Sequence, residues 1–204
     1  MSEYPDSLGW KHSKVLNDCI GEKAKIKLLI LDIDGVLTDG TKVYTEQHEP
    51  VYKRFRCKDF TAIKRFIAAG EKVIMLSGDN WNSDMASKRN IPFYCTRGSD
   101  LSLDKSVYLA HLEATYKVKQ ENMAFVGDDY FDLSMFKTLF WTFAPSDAPR
   151  VIRQNCLYLL KSKGGQGVVQ ELYDFLVGKG IVIDATEEAV AELDKAEASS
   201  AAMK

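Results

Sequence analysis

The chain has 204 residues, 46% of them hydrophobic and 27% charged, with a formal net charge of −2. That length supports one core and one main domain. The balance of charge gives no reason to expect a nucleic-acid or anionic membrane partner, and no apolar stretch approaches transmembrane length.

Residues 1–25 are mixed and polar and read as an N-terminal extension without a signal peptide. A strand is expected at about 26–33, where the run Leu28-Leu29-Ile30-Leu31 ends in Asp32-Ile33-Asp34-Gly35. Thr41–Thr45 and Pro50–Phe55 alternate about Glu46–Glu49 and read as a β-hairpin. Asp59 reads as the N-cap of a helix over Phe60–Ala69 that Gly70 ends. Lys72–Leu76 is a second buried strand, followed by Ser77-Gly78-Asp79-Asn80, a helix to about Arg89 and a short strand at Ile91–Cys95. Asp104–Tyr116 is expected to be helical, Met123–Val126 a buried strand, Asp132–Thr138 a short helix and Phe140–Ala144 a strand. Ala148–Asn155 reads as helix, Tyr158–Leu160 as the last strand and Val168–Leu176 as a helix after the glycine-rich 164–167. Residues 184–204, rich in Ala, Glu, Lys and Ser, read as a polar tail, either a frayed helix or disordered.

Strands alternating with helices imply an α/β fold with a mainly parallel, Rossmann-like sheet flanked by helices and a β-hairpin insertion. Three strand ends carry polar clusters: Asp32/Asp34, Ser77, and Asp128/Asp129/Asp132. The carboxyl edge of such a sheet is where ligands bind. Two carboxylates spaced by two share one face of a strand and repel unless a cation compensates them, and oxygen ligands suit Mg²⁺. An EF-hand does not fit, because position twelve counted from Asp32 is Val43 rather than Glu. A receiver domain does not fit either, since its first strand ends in adjacent acids. Cys19, Cys57, Cys95 and Cys156 are widely spaced and read as reduced thiols of a cytoplasmic protein, and His12, His48 and His111 suggest no zinc site.

Asp32-Ile33-Asp34-Gly35-Val36-Leu37-Thr38-Asp39-Gly40, Ser77, Lys105 and Gly127-Asp128-Asp129-Tyr130-Phe131-Asp132, in this order, resemble the haloacid dehalogenase superfamily of phosphatases. The resemblance covers about residues 26–180, within an expected phosphatase domain of 26–183. The Asp-Gly-Val-Leu-Thr-Asp-Gly string, the hairpin and Gly164-Gly165-Gln166-Gly167 narrow it to the capless subfamily of keto-deoxy sugar acid phosphatases, which act on octulosonate 8-phosphate or on nonulosonate 9-phosphates. Only about 25 residues separate Asp34 from Asp59, too few for a cap domain.

The resemblance implies Asp32 as nucleophile and Asp34 as general acid and base. It implies Mg²⁺ held by Asp32, the Asp34 carbonyl and Asp128. Ser77 and Lys105 would bind phosphate, with Asp129 and Asp132 in support. It also implies a homotetramer in which hairpins assemble and a neighbour covers the site. Departures lie in the specificity shell: Ser77-Gly78-Asp79 stands where Thr-Gly-Arg is usual, Phe60 where a Gly follows the Asp, and Gln170 where an Arg is usual. Asp79 would repel the carboxylate of an eight-carbon acid, and Lys88 could reach back to pair with Asp79 or meet the substrate. These two residues therefore favour a sialic-acid-type nine-carbon 9-phosphate as substrate, with octulosonate 8-phosphate as the alternative. A non-catalytic oligomerisation or regulatory module of the same fold is the competing class, and Mg²⁺-dependent hydrolysis of a generic phosphate ester separates the two.

Overall fold

In the computed structural model, which describes residues 25–97 and 104–202, the side chains of Leu28–Leu31 are wholly buried. A strand with no polar position can sit only where both of its faces are covered. Leu29 and Leu31 join the core on one face of the sheet, and Leu28 and Ile30 join the core on the other. This strand, β1 (Leu28–Leu31), lies at the centre of a six-stranded sheet with β4 (Lys72–Ser77), β5 (Phe93–Cys95), β6 (Met123–Val126), β7 (Trp141–Ala144) and β8 (Tyr158–Leu159). Their order is β5-β4-β1-β6-β7-β8, and every pairing is parallel. The chain moves outward from β1 through β4 to β5 and then returns across β1 to β6. That reversal opens a crevice beyond the carboxyl end of β1.

The helices are α1 (Cys57–Ala68), α2 (Ser83–Lys88), α3 (Leu109–Tyr116), α4 (Leu133–Thr138), α5 (Arg150–Asn155), α6 (Val168–Gly178) and α7 (Glu187–Ala202). On the first face, α1 and α6 pack through Phe66 and Tyr173, whose rings meet edge-to-face at 4.8 Å. Leu109 and Leu112 of α3, Met135 and Phe136 of α4 and Ile152 of α5 fill the second face.

Several elements differ from the sequence reading. β1 stops at Leu31, although Asp32 N still donates to Val126 O at 2.9 Å. The Ile33 carbonyl then accepts from Val36, Leu37 and Thr38, closing a tight turn. The hairpin is short, β2 (Val43–Tyr44) against β3 (Pro50–Tyr52), with a register irregularity at Val43/Tyr44. Asp59 does not cap its own helix, which begins two residues earlier after Arg56. Its Oδ1 instead accepts from Val169 N and Gln170 N, so it caps α6 and ties that helix to α1. The polar tail is largely helical: α7 lies on α1, where Lys64 pairs with Asp194 and Glu197, and Arg89 reaches Glu197. Its apolar content is too low to signal this, and complementary charge does the anchoring. The N-terminal extension, residues 1–24, lies outside the described residues.

Candidate active site

The turn after β1 depends on glycine. Gly35 has φ +86°, and a Cβ there would stand 2.0 Å from an Asp128 carboxylate oxygen. Only a residue without a side chain lets the β6 loop close over the β1 loop. Gly164 performs the same service from behind, since its Cβ would meet the Gly35 carbonyl oxygen at 2.3 Å.

The result is a cleft of about 300 Å³ at the carboxyl edge of β1, β4 and β6, lined by Asp32, Asp34, Ser77, Asp79, Lys105, Asp128 and Asp129 among others. Asp32 is 7% exposed, with Oδ1 accepting from Ile33 N at 2.7 Å and Oδ2 2.9 Å from Lys105 Nζ. Lys105 enters from a 3₁₀ turn (Lys105–Tyr108) whose N-cap is Asp104. It also donates to Asp132 Oδ1 at 2.5 Å. Asp132 turns its other oxygen to the amides of Asp128 and Asp129, at 2.8 and 3.0 Å. Asp129 caps the turn that follows by accepting from Tyr130 N.

Asp32, Asp128 and Asp132 offer oxygens that lie within 4.8 Å of one another. Burial pushes the Asp32 carboxyl up to about 7; Lys105 opposes that rise and Asp132 adds to it. Burial, followed by the charges of Asp32 and Asp132, pushes Asp128 up to about 8. Burial would depress the Lys105 ammonium, but Asp32 and Asp132 outweigh it and hold Lys105 above its ordinary value. Three acids against one lysine leave an excess of negative charge, and Asp128 Oδ1 is buried without a hydrogen-bond partner. An all-oxygen donor set with one uncommitted ligand atom suits a divalent cation such as Mg²⁺. Both oxygens of Asp132 are held by Lys105 and by the Asp128 and Asp129 amides, so it braces the cluster, while Asp128 Oδ1 is the uncommitted ligand atom beside Asp32.

Asp34 lines the same cleft but belongs to a second network. Lys53 Nζ, from the end of the hairpin, lies 2.7 Å from its carboxylate and 2.9 Å from both Asp79 Oδ2 and Asn82 Oδ1. Asn82 Nδ2 bridges Asp34 Oδ2 and Ser77 Oγ, each at 3.1 Å. The two opening carboxylates therefore converge on one cleft by way of a turn rather than a strand face, and each has its own lysine.

Asp79 both caps the next turn, accepting from Trp81 N, and pairs with Lys42 at 2.6 Å and Lys53 at 2.9 Å. Burial works against its charge, but the two lysines hold its carboxyl well below the usual range. The partner expected in Lys88 is a correction: Lys88 is exposed at the end of α2, and the ion pairs of Asp79 go to hairpin lysines. Lys42, Lys53, Asn82 and Arg97 were not legible as site residues. A lysine in an exposed hairpin reads as a solvated edge residue, and only its contacts with the segments that follow β1 and β4 bring it inward.

Residues 79–172 match the model of a family described as haloacid dehalogenase-like hydrolase. The chain is 32% identical to 3-deoxy-D-manno-octulosonate 8-phosphate phosphatase of Haemophilus influenzae, over 79% of this chain and 90% of that protein. Its fold is similar to the cobalt-bound form of the Haemophilus influenzae phosphatase, with TM-score 0.69, 30% identity, and 76% of this chain and 90% of that one covered. It is also similar to the phosphatase of the same name from Yersinia pestis, with TM-score 0.71, 30% identity, and 83% and 91% covered.

Proposed function

Because the chain belongs to the haloacid dehalogenase-like hydrolases, we propose that it is a Mg²⁺-dependent phosphomonoesterase that uses Asp32 as nucleophile. The observation that carries this reading is a buried carboxylate pinned by Lys105 beside an acidic cluster with an open ligand atom. The cobalt named for the Haemophilus influenzae structure supports a divalent metal. Asp32, Asp128 and the Asp34 carbonyl would hold Mg²⁺, which supplies the charge neutralisation that lets an anionic nucleophile approach a phosphate dianion.

Asp32 attacks phosphorus, forming an acyl phosphate as the ester oxygen leaves. Asp34, oriented by Lys53 and Asn82, protonates that oxygen. It then takes the proton of the water that attacks the acyl phosphate, and inorganic phosphate departs with the Asp32 carboxylate restored. Ser77 and Lys105 bind the phosphoryl oxygens, while Asp132 and Asp129 hold the lysine and the β6 loop.

The substrate we favour is a phosphorylated keto-deoxy sugar acid, octulosonate 8-phosphate before a nine-carbon 9-phosphate. The activity named for the relatives supports the eight-carbon acid. Asp79 favours the nine-carbon acid only through repulsion of the shorter acid's carboxylate, and the ammonium groups of Lys42 and Lys53 on its Oδ2 offset that charge. The kcat/KM for octulosonate 8-phosphate should exceed that for a nonulosonate 9-phosphate by about tenfold or more. A ratio favouring the nine-carbon ester would restore the sialic-acid reading.

The hairpin exposes Val43, Tyr44, Val51 and Tyr52. A two-stranded ribbon with an apolar surface is marginal alone. We propose that it packs against copies of itself in a homotetramer, whose neighbour covers the cleft. Sedimentation velocity should report a tetramer, and a fully active monomer at micromolar concentration would refute this.

A further inference from the structure

Three cations line the cleft and a fourth, Lys53, reaches its acids Asp34 and Asp79; three of the four are already committed. Lys105 pairs with Asp32 and Asp132, Lys53 with Asp34 and Asp79, and Lys42 with Asp79. Arg97 is the remaining one, and among the described residues it forms no ion pair with a carboxylate.

Arg97 follows β5, one residue after Thr96, whose amide donates to the Ser77 carbonyl at 2.9 Å. Its guanidinium carbon stands 5.5 Å from the centroid of the Phe131 ring. Its stem lies against Gly78, where a Cβ would come within 3.0 Å of Nε. The guanidinium is thus placed on the wall of the cleft between the end of β4 and the aromatic rim, and among the described residues its donors meet no carboxylate. A weakly hydrated cation stacked on a ring is well suited to receive an anion there.

A phosphoryl group at the Asp32 end has its own partners in Lys105, Ser77 and the metal cluster. A second anionic group on the same ligand needs another cation, and detaching Lys42 or Lys53 would strand a half-buried Asp34 or Asp79. We infer that Arg97 binds the carboxylate of the substrate and makes the cleft selective for phosphate monoesters that carry one. The planar fork of guanidinium donors matches a carboxylate in bidentate fashion. This inference rests on the phosphatase reading above and names the residue that would recognise the acid end of the substrate.

The test compares octulosonate 8-phosphate with its carboxamide, which keeps the shape and removes the charge, and uses p-nitrophenyl phosphate as the reference for the chemistry. The wild type should prefer the acid to the amide by at least about tenfold in kcat/KM. Arg97→Met should shrink that preference to within about threefold, mostly through KM for the acid, and Arg97→Lys should recover part of it. Equal turnover of acid and amide by the wild type, or an equal fractional loss on both in Arg97→Met, would overturn the role of Arg97 and leave the phosphatase reading standing. Failure of the wild type to hydrolyse p-nitrophenyl phosphate with Mg²⁺ would overturn the phosphatase reading and the inference together.

Discussion

Asp32→Asn is expected to abolish turnover, with kcat falling by roughly 10³-fold or more. The reason is chemical before it is structural, since an amide cannot serve as the nucleophile that forms and releases an acyl phosphate. The structural consequences should be mild. Lys105 loses a carboxylate at 2.9 Å but keeps Asp132 at 2.5 Å. The substitution also removes one of three mutually repelling acids. The metal-free variant should therefore melt near the wild-type temperature at neutral pH while binding Mg²⁺ more weakly, as calorimetry would show. Near wild-type kcat in a correctly folded Asp32→Asn protein would exclude the covalent mechanism. A large loss accompanied by collapse of the fold would point instead to a structural role for the acid.

Removal of the metal should be equally severe. Excess chelator should silence the protein, Mg²⁺ should restore it, and Ca²⁺ should inhibit, because it prefers more and longer oxygen contacts and can draw both oxygens of Asp32 onto itself. The same cluster predicts a pH signature that needs no substrate. Asp32 and Asp128 sit at about 7 and about 8 in the metal-free fold, above the ordinary 3.8. Between those limits the folded protein holds more protons than the unfolded chain, so the metal-free protein loses stability as pH rises from about 4 to about 8. Mg²⁺ competes with those protons and should bind more tightly as they leave. The rise in Tm on adding Mg²⁺ should accordingly be small near pH 5 and larger near pH 8. An equal shift at both pH values would place the metal elsewhere, and full activity in excess chelator would rule out the metal site.

The dependence of both results on Asp32, Lys105 and Asp128 shows how much of the site was legible in the chain. Each follows directly from a buried apolar strand or opens a short helical turn, and such junctions combine a local pattern with a fixed topological place. The pattern reached less far in the hairpin. Lys42 and Lys53 stand in a polar, alternating segment whose local chemistry is that of a solvated ribbon. Nothing within that segment signals that Lys53 lies buried against Asp34, Asp79 and Asn82.

The amino-acid sequence alone determined the α/β class, the carboxyl-edge location of the site, and the acidic motifs that point to a divalent metal. Those properties are written in short-range features: unbroken apolar runs, turn glycines and acids spaced by two. The tertiary structure alone decided which charges meet. It gave Asp79 to Lys42 and Lys53 rather than Lys88, turned Asp59 from its own helix to the start of α6, and left Arg97 unpaired on the cleft wall among the described residues. The pairings among them join residues at least 26 positions apart, because such contacts depend on distance in space, and the spacing of charges along the chain leaves that distance open until the sheet order and the loops close it.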